Sequence, residues 1–582
     1  RLRYALLNLI ENHNVPVVFP DSIPPQYISS YCNSCNIDEA ISKLLLQTEL
    51  DWKKSNNQYI VILSSMNNKY SISGRVIDNI TKESIPYANI FIKSLQIGDI
   101  SNQDGVFSIK DIPNQTCSLL VSYIGYEPNI VKLVFPMDEK KFQILSLNPK
   151  ILLAKEVSIT GNNREFMERS NNPGQISFSP RHVSTLPNLG EVDIFRSLQF
   201  LPGIQLAIGG TSDLYVRGGT PDQNLILLDG MPIYHSGHMF GFISAIPADG
   251  IKDIQIYSGA IPAKYGGRIS SVIHLISKSG NSSNSKVSIG ANLMSQGINI
   301  EFPINKRGSW ILNYRGSNPV TKYSNLYSSI QNFAMGDDKF NLLTETANII
   351  EEQNASYDIN TSYLDILSRL SLLLNPKQRV TISAIYGADS TDENRNYFGF
   401  NSILGHDTVK IDASTNFRNA GLVLNWYSNW NHSNNTHFSL SWYGIQSYYL
   451  SENSILVNQN IYTPIAETIE DNLLSDIHLK LNHGFKGFKN RSLLAGIEHK
   501  SLSTLFNTSN TDGTSENVSS LEQNETISSI FFQDSWKVNS LLDFQSGIRI
   551  NDFSANNYLM TEPRFALKYK IKNSITIESS LD

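Results

Sequence analysis

Three short stretches decide the fold of this chain: LYVRGG at residues 214–219, NLILLDGMPI at 224–233 and AKYGGR at 263–268. Aliphatic runs such as 225–228 are interrupted by glycine, proline and an Asp-Gly pair. These interruptions are typical of turns between short strands. The region 163–280 is therefore predicted to be a small mixed α/β domain.

These stretches resemble the plug of TonB-dependent outer-membrane receptors, which combines an Arg-Gly segment, a strand ending in Asp-Gly-x-Pro and a closing Tyr-Gly strand. Several ordered matches over roughly a hundred residues are far more specific than a lone glycine motif. The resemblance implies that a β-barrel follows the plug. The residues that carry the plug motif are Arg217, Gly218, Gly219, Asp229, Gly230, Pro232, Tyr265, Gly266, Gly267 and Arg268.

Composition favours a membrane-embedded sheet over a soluble globular protein. Charged residues make up 17% of the 582 residues, against ~25% in typical soluble domains. The length predicts several domains, or one very large sheet, or both. The formal charge of −6, with lysine and arginine scattered along the chain, excludes a nucleic-acid partner.

No apolar run approaches the ~18 residues that a membrane helix requires, so any crossing of a bilayer is predicted to use strands. At the start of the chain, Leu2, Leu6, Leu9 and Ile10 are spaced as on one face of an amphipathic helix. That pattern differs from a secretory signal, so the chain is expected to be a mature or shortened form.

Residues 1–65 are predicted to form a helix, a strand, a second helix and a hairpin. Asn36 is the expected N-cap of the second helix, with Glu39 three residues later. The sequence at 38–45 and 59–62 resembles the secretin and TonB short N-terminal (STN) domain. That resemblance implies a periplasmic domain that passes a signal to an anti-sigma regulator; the alternative is a small interaction domain without a signalling partner.

Residues 70–148 change to the period of two that strands of a β-sandwich show. Four markers, Ser73-Gly74, Pro86-Tyr-Ala-Asn89, Asp104-Gly105 and Tyr123-Ile-Gly-Tyr126, resemble the carboxypeptidase regulatory-like domain. In such enzymes this domain is noncatalytic. No His-x-x-Glu or His-Glu-x-x-His motif occurs, so nothing predicts a zinc peptidase.

The linker 149–162 contains a candidate partner-binding strand. An exposed segment of this kind can add to the sheet of another protein, with main-chain hydrogen bonds for affinity and alternate side chains for selectivity. It resembles a TonB box, which implies binding to the TonB energy-transducing complex; the alternative is a plain extended linker. The predicted TonB-binding residues are Lys155, Glu156, Val157, Ser158, Ile159, Thr160 and Gly161.

Among the plug-motif residues, Arg217 and Arg268 have the most specific expected contacts. The resemblance implies that they meet carboxylates of the barrel wall, which a guanidinium can hold with two bonds. The alternative is a pair of solvated surface charges.

Tyr234, His235 and His238 are candidate ligand contacts in a plug loop. The two histidines can also be interpreted as a metal pair, but no further ligand stands near them in the sequence, so no metal site is predicted. Three cysteines are too few for a disulfide framework. The spacing of Cys32 and Cys35 is compatible with four states: a local disulfide, two free thiols, a redox-sensitive bridge or half of a metal site.

Residues 285–582 are predicted to be the N-terminal part of an outer-membrane β-barrel. Apolar and polar residues alternate over about ten positions, as in a strand between lipid and a wet lumen. Short links such as 375–378 alternate with long ones at 317–361, 391–414 and 453–471. About a dozen strands are expected, against about 22 in plugged transporters, so the barrel is expected to be incomplete in this chain.

The predicted fold class is therefore mostly β: a transmembrane antiparallel barrel plugged by a small α/β domain and preceded by a β-sandwich and a small α/β domain. The resemblance implies energised import, across the cell outer membrane, of a siderophore, haem, cobalamin, oligosaccharide or peptide, with the N-terminal domains in the periplasm. Alternatives are a signal-transducing sensor and a glycan receptor that docks a surface lipoprotein. No catalytic residues, enzyme activity or cofactor are predicted, and outer-membrane lipids are the expected surroundings.

Overall fold

The computed structural model describes most of the chain. The described residues are 2–13, 16–19, 37–45, 48, 50–55, 58–63, 70–95, 97–112, 117–134, 142–150, 167–169, 173–180, 192–206, 213–238, 241, 243–305, 307–318, 329, 355–402, 405–458, 461–487, 490–511, 515–539, 541–555, 558–572 and 575–581. None of the helices in these ranges combines the length and apolarity needed to span a membrane.

The N-terminal elements follow the predicted order of helix, strand, helix and hairpin. They are α1 Leu2–His13, β1 Val17–Val18, α2 Ile37–Leu45, β2 Leu50–Ser55 and β3 Gln58–Leu63. The strands form one sheet in the order β1-β3-β2. Leu6, Ile41 and Val61 are fully buried in its core, because one face of each helix is apolar and packs on the sheet.

The next seven strands form two sheets, as expected of a β-sandwich. They are β4 Tyr70–Asp78, β5 Asn89–Ile92, β6 Ile97–Ile100, β7 Val106–Ile112, β8 Cys117–Ser122, β9 Asn129–Leu133 and β10 Gln143–Leu147. The sheet orders are β10-β4-β7 and β6-β5-β8-β9. Val76, Ile92 and Leu119 are fully buried, since alternate residues of each strand point inward.

The plug is built on a mixed six-stranded sheet in the order β11-β12-β19-β20-β15-β16. Its elements are β11 Met167–Arg169, β12 Gln175–Phe178, α3 Ile194–Leu198, β13 Ile204–Leu206, β14 Leu214–Val216, β15 Asn224–Leu228, β16 Met231–Pro232, β17 Gly237–His238, β18 Ile243–Ser244, β19 Ile251–Tyr257 and β20 Ser271–Ser277. Every residue of β19 and β20 is buried. Both faces of these central strands are therefore covered.

The C-terminal half forms one antiparallel sheet of 13 strands in chain order, which we call the wall. Its strands are β21 Lys286–Ala291, β22 Ser295–Ile304, β23 Gly308–Ser317, β24 Ala355–Asn375, β25 Gln378–Ser402, β26 Gly405–Asn429, β27 Asn434–Asn458, β28 Ile461–Phe485, β29 Arg491–Thr511, β30 Glu516–Lys537, β31 Leu542–Phe553, β32 Tyr558–Lys572 and β33 Ile575–Leu581. Among the described residues β33 does not pair with β21, so the sheet is open. The predicted fold class, including an incomplete barrel, is confirmed.

The two faces of the wall have opposite polarity. On β28, Ile477 and Leu479 are 45% and 43% exposed, whereas Asp476 and His478 are 3% and 8% exposed. The apolar residues therefore point away from the plug and the polar residues point toward it. This is the arrangement of a lipid-facing sheet and the reverse of a soluble sandwich.

Two of the predicted long loops are wrong. The described residues within 391–414 belong to β25 and β26, which pair out to Ser402 and Gly405, and those within 453–471 belong to β27 and β28, which pair out to Asn458 and Ile461. A strand of 25 residues is well over the ~9–11 residues that cross a bilayer. Their polar sequence predicted loops, but beyond the lipid a hairpin satisfies its backbone by pairing and leaves its polar side chains in water.

Candidate functional site

The tip of the plug is a tight turn between β15 and β16. Leu228 pairs with Met231, and the two residues between them, Asp229 and Gly230, have φ values of 52° and 96°. Positive φ at both central positions is typical of a type I′ turn, which Asp-Gly sequences favour. The Asp-Gly pair of the plug motif is therefore a structural requirement of this hairpin.

The side chain of Asp229 joins the plug to the wall. Its carboxylate accepts hydrogen bonds from the backbone N–H of Ser277 at 3.0 Å, from Ser383 Oγ at 2.6 Å and from Arg369 Nη1 at 2.8 Å. Burial raises the pKa of this carboxyl group, but Arg369 and the hydrogen bonds outweigh burial and hold the pKa below its ordinary value. Asp229 is therefore a buried, fully bonded carboxylate.

The main chain of the turn also contacts the wall. Asn425 Nδ2 donates to the carbonyl oxygen of Asp229 at 3.0 Å. A Cβ atom at Gly421 would lie 2.6 Å from Met231 Sδ, so the turn fits against a wall position that has no side chain.

Besides Arg369, which also donates to the carbonyl oxygen of Ser277 at 2.9 Å, three wall arginines among the described residues hold the plug by its backbone. Each guanidinium donates to a plug carbonyl oxygen, a contact that depends on the path of the plug chain and not on its side chains. The pairs are Arg315 with Ser244 at 2.5 Å, Arg549 with Ala263 at 3.5 Å and Arg564 with Pro262 at 2.8 Å.

The prediction that Arg217 and Arg268 meet wall carboxylates is wrong. Both side chains are exposed, and neither forms an ion pair within the described ranges. At Asp229 the contact between the plug and the wall, which we call the seam, has the opposite polarity: the plug supplies the carboxylate and the wall supplies the guanidinium group of Arg369. The alternative of solvated surface charges agrees with their exposure.

Among the motif glycines, Gly266 has a clear steric role. A Cβ there would lie 2.4 Å from Arg549 Nε, so only glycine lets the plug backbone pass this guanidinium. The preceding Tyr265 is buried and its hydroxyl lies 3.1 Å from His274 Nδ1. The remaining motif positions lie in turns or at a strand end: Gly218 and Gly267 with φ of 84° and 86°, Gly219 beside Ser270, and Pro232 in β16.

Tyr234 follows the plug tip and contacts the wall. Its hydroxyl donates to Asp476 Oδ2 at 2.5 Å, and its ring centroid lies 5.7 Å from that of Tyr443. Burial and the negative charge of Asp476 raise the pKa of the Tyr234 hydroxyl well above its ordinary value. The residue as a whole nevertheless keeps 38% of its surface exposed, so part of it remains accessible to a ligand.

His238 lies between two wall carboxylates. Its Nε2 is 2.8 Å from Asp365 and its Nδ1 is 3.2 Å from Asp389. Burial lowers its pKa, but the two carboxylates outweigh burial and raise the pKa to about 9. For the neighbouring His235, burial and the charge of His238 lower the pKa to about 4. The fold therefore brings ligand-type residues beside these histidines that are more than a hundred positions away in the sequence.

The wall residues of the site were not predicted from the sequence, although the alternation along the strands indicates which side chains face the plug. On β24, Asp365 and Arg369 alternate with Leu364, Ile366 and Leu370, which marks them as inward-facing charges. Their plug partners are more than a hundred positions away in the chain, and no sequence pattern predicts such a pairing.

The β-sandwich contacts the same plug and wall through polar side chains, most of them buried. Glu83 pairs with Lys252 of the plug at 2.6 Å, Asp104 pairs with Arg379 of the wall at 2.9 Å, and Asp99 binds Lys486 of a wall turn. These contacts were not predicted from the sequence.

Asp253 of the plug gives the sandwich contact a pH dependence. Burial raises its pKa to about 6, against hydrogen bonds from Tyr123 and Gln255 that lower it. Because this pKa exceeds the ordinary 3.8, the stability that Asp253 contributes is complete below about pH 4 and is lost as the pH rises through about 6. The difference corresponds to about 3 kcal/mol.

We therefore expect the free energy of unfolding of Asp253→Asn to rise by about 3 kcal/mol relative to that of wild type as the pH increases from 4 to 7.5. Urea unfolding of the detergent-solubilised protein across this range measures the difference. The matched control is Asp249→Asn, because Asp249 is an exposed plug carboxylate, and this variant should parallel wild type. A constant difference between Asp253→Asn and wild type at all pH values would contradict the prediction.

Two predicted sites lie outside the described residues: the segment 155–161 and the Cys32/Cys35 pair. The remaining cysteine, Cys117, is a free buried thiol, and burial raises its pKa.

The plug seated against a lipid-facing sheet defines an outer-membrane protein of the plugged-barrel class. Residues 182–272 match the family described as TonB-dependent Receptor Plug Domain, and residues 72–159 match the family described as CarboxypepD_reg-like domain. The chain therefore carries a carboxypeptidase regulatory-like domain followed in sequence by a TonB-dependent receptor plug domain. The plug domain and the lipid-facing sheet place the protein in the outer membrane. The second match extends into the predicted linker.

The chain is similar to several solved structures. They include the siderophore receptor PirA from Acinetobacter baumannii, with 16% identity, 70% of this chain and 60% of that chain covered, and a TM-score of 0.45. The ferric enterobactin receptor PfeA from Pseudomonas aeruginosa, in complex with enterobactin, has 13% identity, with 70% of this chain and 62% of that chain covered, and a TM-score of 0.43. FpvA of P. aeruginosa, bound to a heterologous pyoverdine, has 12% identity, with 100% of this chain and 68% of that chain covered, and a TM-score of 0.47.

The chain spans about 60% of the length of the first of these structures. No curated protein sequence matches it significantly.

Proposed function

We propose that the protein imports a scarce solute, too large for porins, across the outer membrane, with work supplied by the TonB complex. The observation that carries this proposal is the plug seated against the polar face of the wall and held there by Asp229 and Arg369. A solute that crosses along this face has to pass the plug, so the plug has to move.

The types of contact between the plug and the wall support a plug that can be displaced. Much of the seam consists of ion pairs and hydrogen bonds, which water can replace one at a time as the plug shifts. Four wall residues join the apolar core of the plug: Leu367, Ile385, Val423 and Tyr443.

The outer membrane holds no usable ion gradient, so the work of moving the plug has to come from the inner membrane. In our proposal the segment 155–161, which precedes the plug, pairs with TonB as an added strand. Pulling on this strand shifts the plug, whereas cargo binding alone leaves it seated. The proposal includes no chemistry on the cargo and no enzymatic activity.

Tyr234 and His235 are the proposed cargo contacts on the plug. Tyr234 is partly exposed and His235 is half-buried, whereas His238 is only 1% exposed and lies behind them. The cargo classes under consideration are iron chelates, haem, cobalamin, oligosaccharides and peptides. Growth of a deletion strain on each of these as the sole source of iron, cobalamin or carbon would identify the cargo for the uptake measurements below.

Sensing is a second candidate role. Residues 2–63 contain their own apolar core of two helices on a three-stranded sheet, which supports a separately folded domain of the predicted STN type. In this role the domain passes cargo occupancy to an anti-sigma regulator.

A disulfide between plug and wall tests whether the plug has to move. A Cβ added at Gly547 would lie 3.1 Å from Ala263 Cβ, near the range of about 3.5–4.5 Å found in disulfides. We expect the pair Ala263→Cys and Gly547→Cys, in a background with Cys32→Ser and Cys35→Ser, to reduce uptake in proportion to the cross-linked fraction. Reduction of the disulfide should restore uptake.

Each single cysteine variant serves as the control and should transport normally with or without reductant. Wild-type uptake by a fully cross-linked protein would show that cargo passes without displacement of the plug at this contact.

A further inference from the structure

The plug and the wall bring two imidazoles and one carboxylate together. His235, His238 and Asp389 each offer one potential ligand atom, and these atoms lie within 4.8 Å of one another. The two histidines come from the plug around β17, and Asp389 comes from β25 of the wall. This cluster bridges the seam.

We propose that His235, His238 and Asp389 form a binding site for a divalent transition-metal ion of the Zn²⁺ type. The proposal is independent of what the protein imports, because it concerns an ion held between the plug and the wall. It also revises the expectation from the sequence that the chain has no metal site.

Two atoms of the cluster are buried without a partner. His235 Nε2 and Asp389 Oδ1 form no hydrogen bond within the described part of the chain, although the Asp389 side chain is only 10% exposed. Buried polar atoms are nearly always bonded to protein, water or an ion.

The surroundings of His238 are those of a metal-bound histidine. Its Nε2 lies 2.8 Å from Asp365 Oδ1, and Asp365 is in turn held by Arg315. Metal-binding histidines commonly donate their second N–H to a carboxylate, which fixes the tautomer and orients the ring. The ion takes the place of the proton on Nδ1 that faces Asp389, so zinc binding releases this proton, while Nε2 continues to donate to Asp365.

Aromatic stacking holds both imidazoles in place. The ring of His238 stacks on Tyr363 with centroids 4.6 Å apart, and the ring of His235 stacks on Phe417 at 4.9 Å. Rigid rings reduce the conformational entropy lost when an ion binds.

The donor set selects the class of metal. Two imidazoles and one carboxylate suit zinc and its first-row neighbours, whereas calcium and magnesium prefer oxygen ligands alone. Ligands of a tetrahedral zinc lie about 3.3 Å apart, and the 3.2 Å between His238 Nδ1 and Asp389 Oδ2 already meets this value. Three protein ligands leave a fourth position for water or for a donor atom of another molecule.

Zinc titration of the metal-stripped protein in detergent tests the proposal. We expect His235→Phe, which keeps a stacked ring, and Asp389→Asn, which keeps the shape of the side chain, each to lose one zinc equivalent relative to wild type. The control is His499→Phe, since His499 is exposed and bonds only Ser528 among the described residues; this variant should keep that equivalent. Circular dichroism verifies that each variant is folded.

X-ray absorption at the zinc edge of the wild-type protein gives a readout that needs no variant, and two imidazoles per bound zinc are expected. The proposal is overturned if wild type binds no zinc, if both variants keep the equivalent, if the control loses it as well, or if the absorption spectrum shows no imidazole ligands.

Discussion

A variant that lacks residues 155–161 is expected to bind its cargo with wild-type affinity and to import none of it. The cargo contacts proposed above lie in the plug, whereas the deleted segment is proposed to bind TonB. Strand addition supplies affinity through main-chain hydrogen bonds, so removal of the strand removes the whole mechanical connection. Cell-surface binding and energy-dependent accumulation of the cargo, measured on the same cells, separate the two steps.

A length-matched control distinguishes strand from spacer. Replacement of 155–161 with seven glycine, serine and proline residues keeps the reach of the linker but cannot form a regular strand. This variant should also fail to import. If it imports normally, the segment is a spacer and the proposed TonB contact is elsewhere.

Removal of residues 1–65 is the second control for the deletion. If import is the main role of the protein, this variant should accumulate cargo as wild type does. If the domain also signals, the same variant should lose cargo-dependent induction of gene expression. Normal import together with normal induction would leave the domain without a signalling role.

Replacement of Arg369 by methionine is expected to destabilise the docked plug by about 3–5 kcal/mol. The variant leaves the buried carboxylate of Asp229 without its only cationic partner among the ion pairs described. The hydrogen bonds from Ser277 and Ser383 remain, but they do not neutralise the charge. Hydrogen exchange of the amides in β19 and β20 should accelerate between about a hundred-fold and a few thousand-fold.

Two comparisons make this prediction specific. Arg491→Met breaks the pair with Asp534, in which the arginine side chain is 43% exposed, and should cost less than about 1 kcal/mol. The double variant Arg369→Met with Asp229→Asn removes both charges and should recover much of the loss, because asparagine tolerates the positive φ of the turn. If Arg369→Met exchanges no faster than Arg491→Met, Asp229 does not hold the plug.

The elements that were predictable from the sequence are those set by neighbouring residues. The Asp229-Gly230 pair specified a tight turn, because few other dipeptides adopt positive φ at two consecutive positions. The alternation along β28 indicated which side chains face away from the plug, and the order of helix, strand, helix and hairpin in the first 63 residues followed from local spacing.

The ends of the wall strands and the seam were less predictable. Polar residues at 391–414 indicated a loop, yet they continue two paired strands, because strand pairing beyond the lipid depends on a neighbouring strand and not on local polarity. Arg217 and Arg268 were assigned to the seam by resemblance, and both are exposed.

The sequence by itself determined the presence and order of most strands, the turns and the inward direction of charged residues such as Arg369, since periodicity and backbone conformation are local properties. Only the tertiary structure decided that Asp229 meets Arg369 and that Asp389 meets the two histidines. The physical reason is that a buried charge is stable only beside its partner, and docking the plug against the wall chooses that partner from residues far apart in the chain.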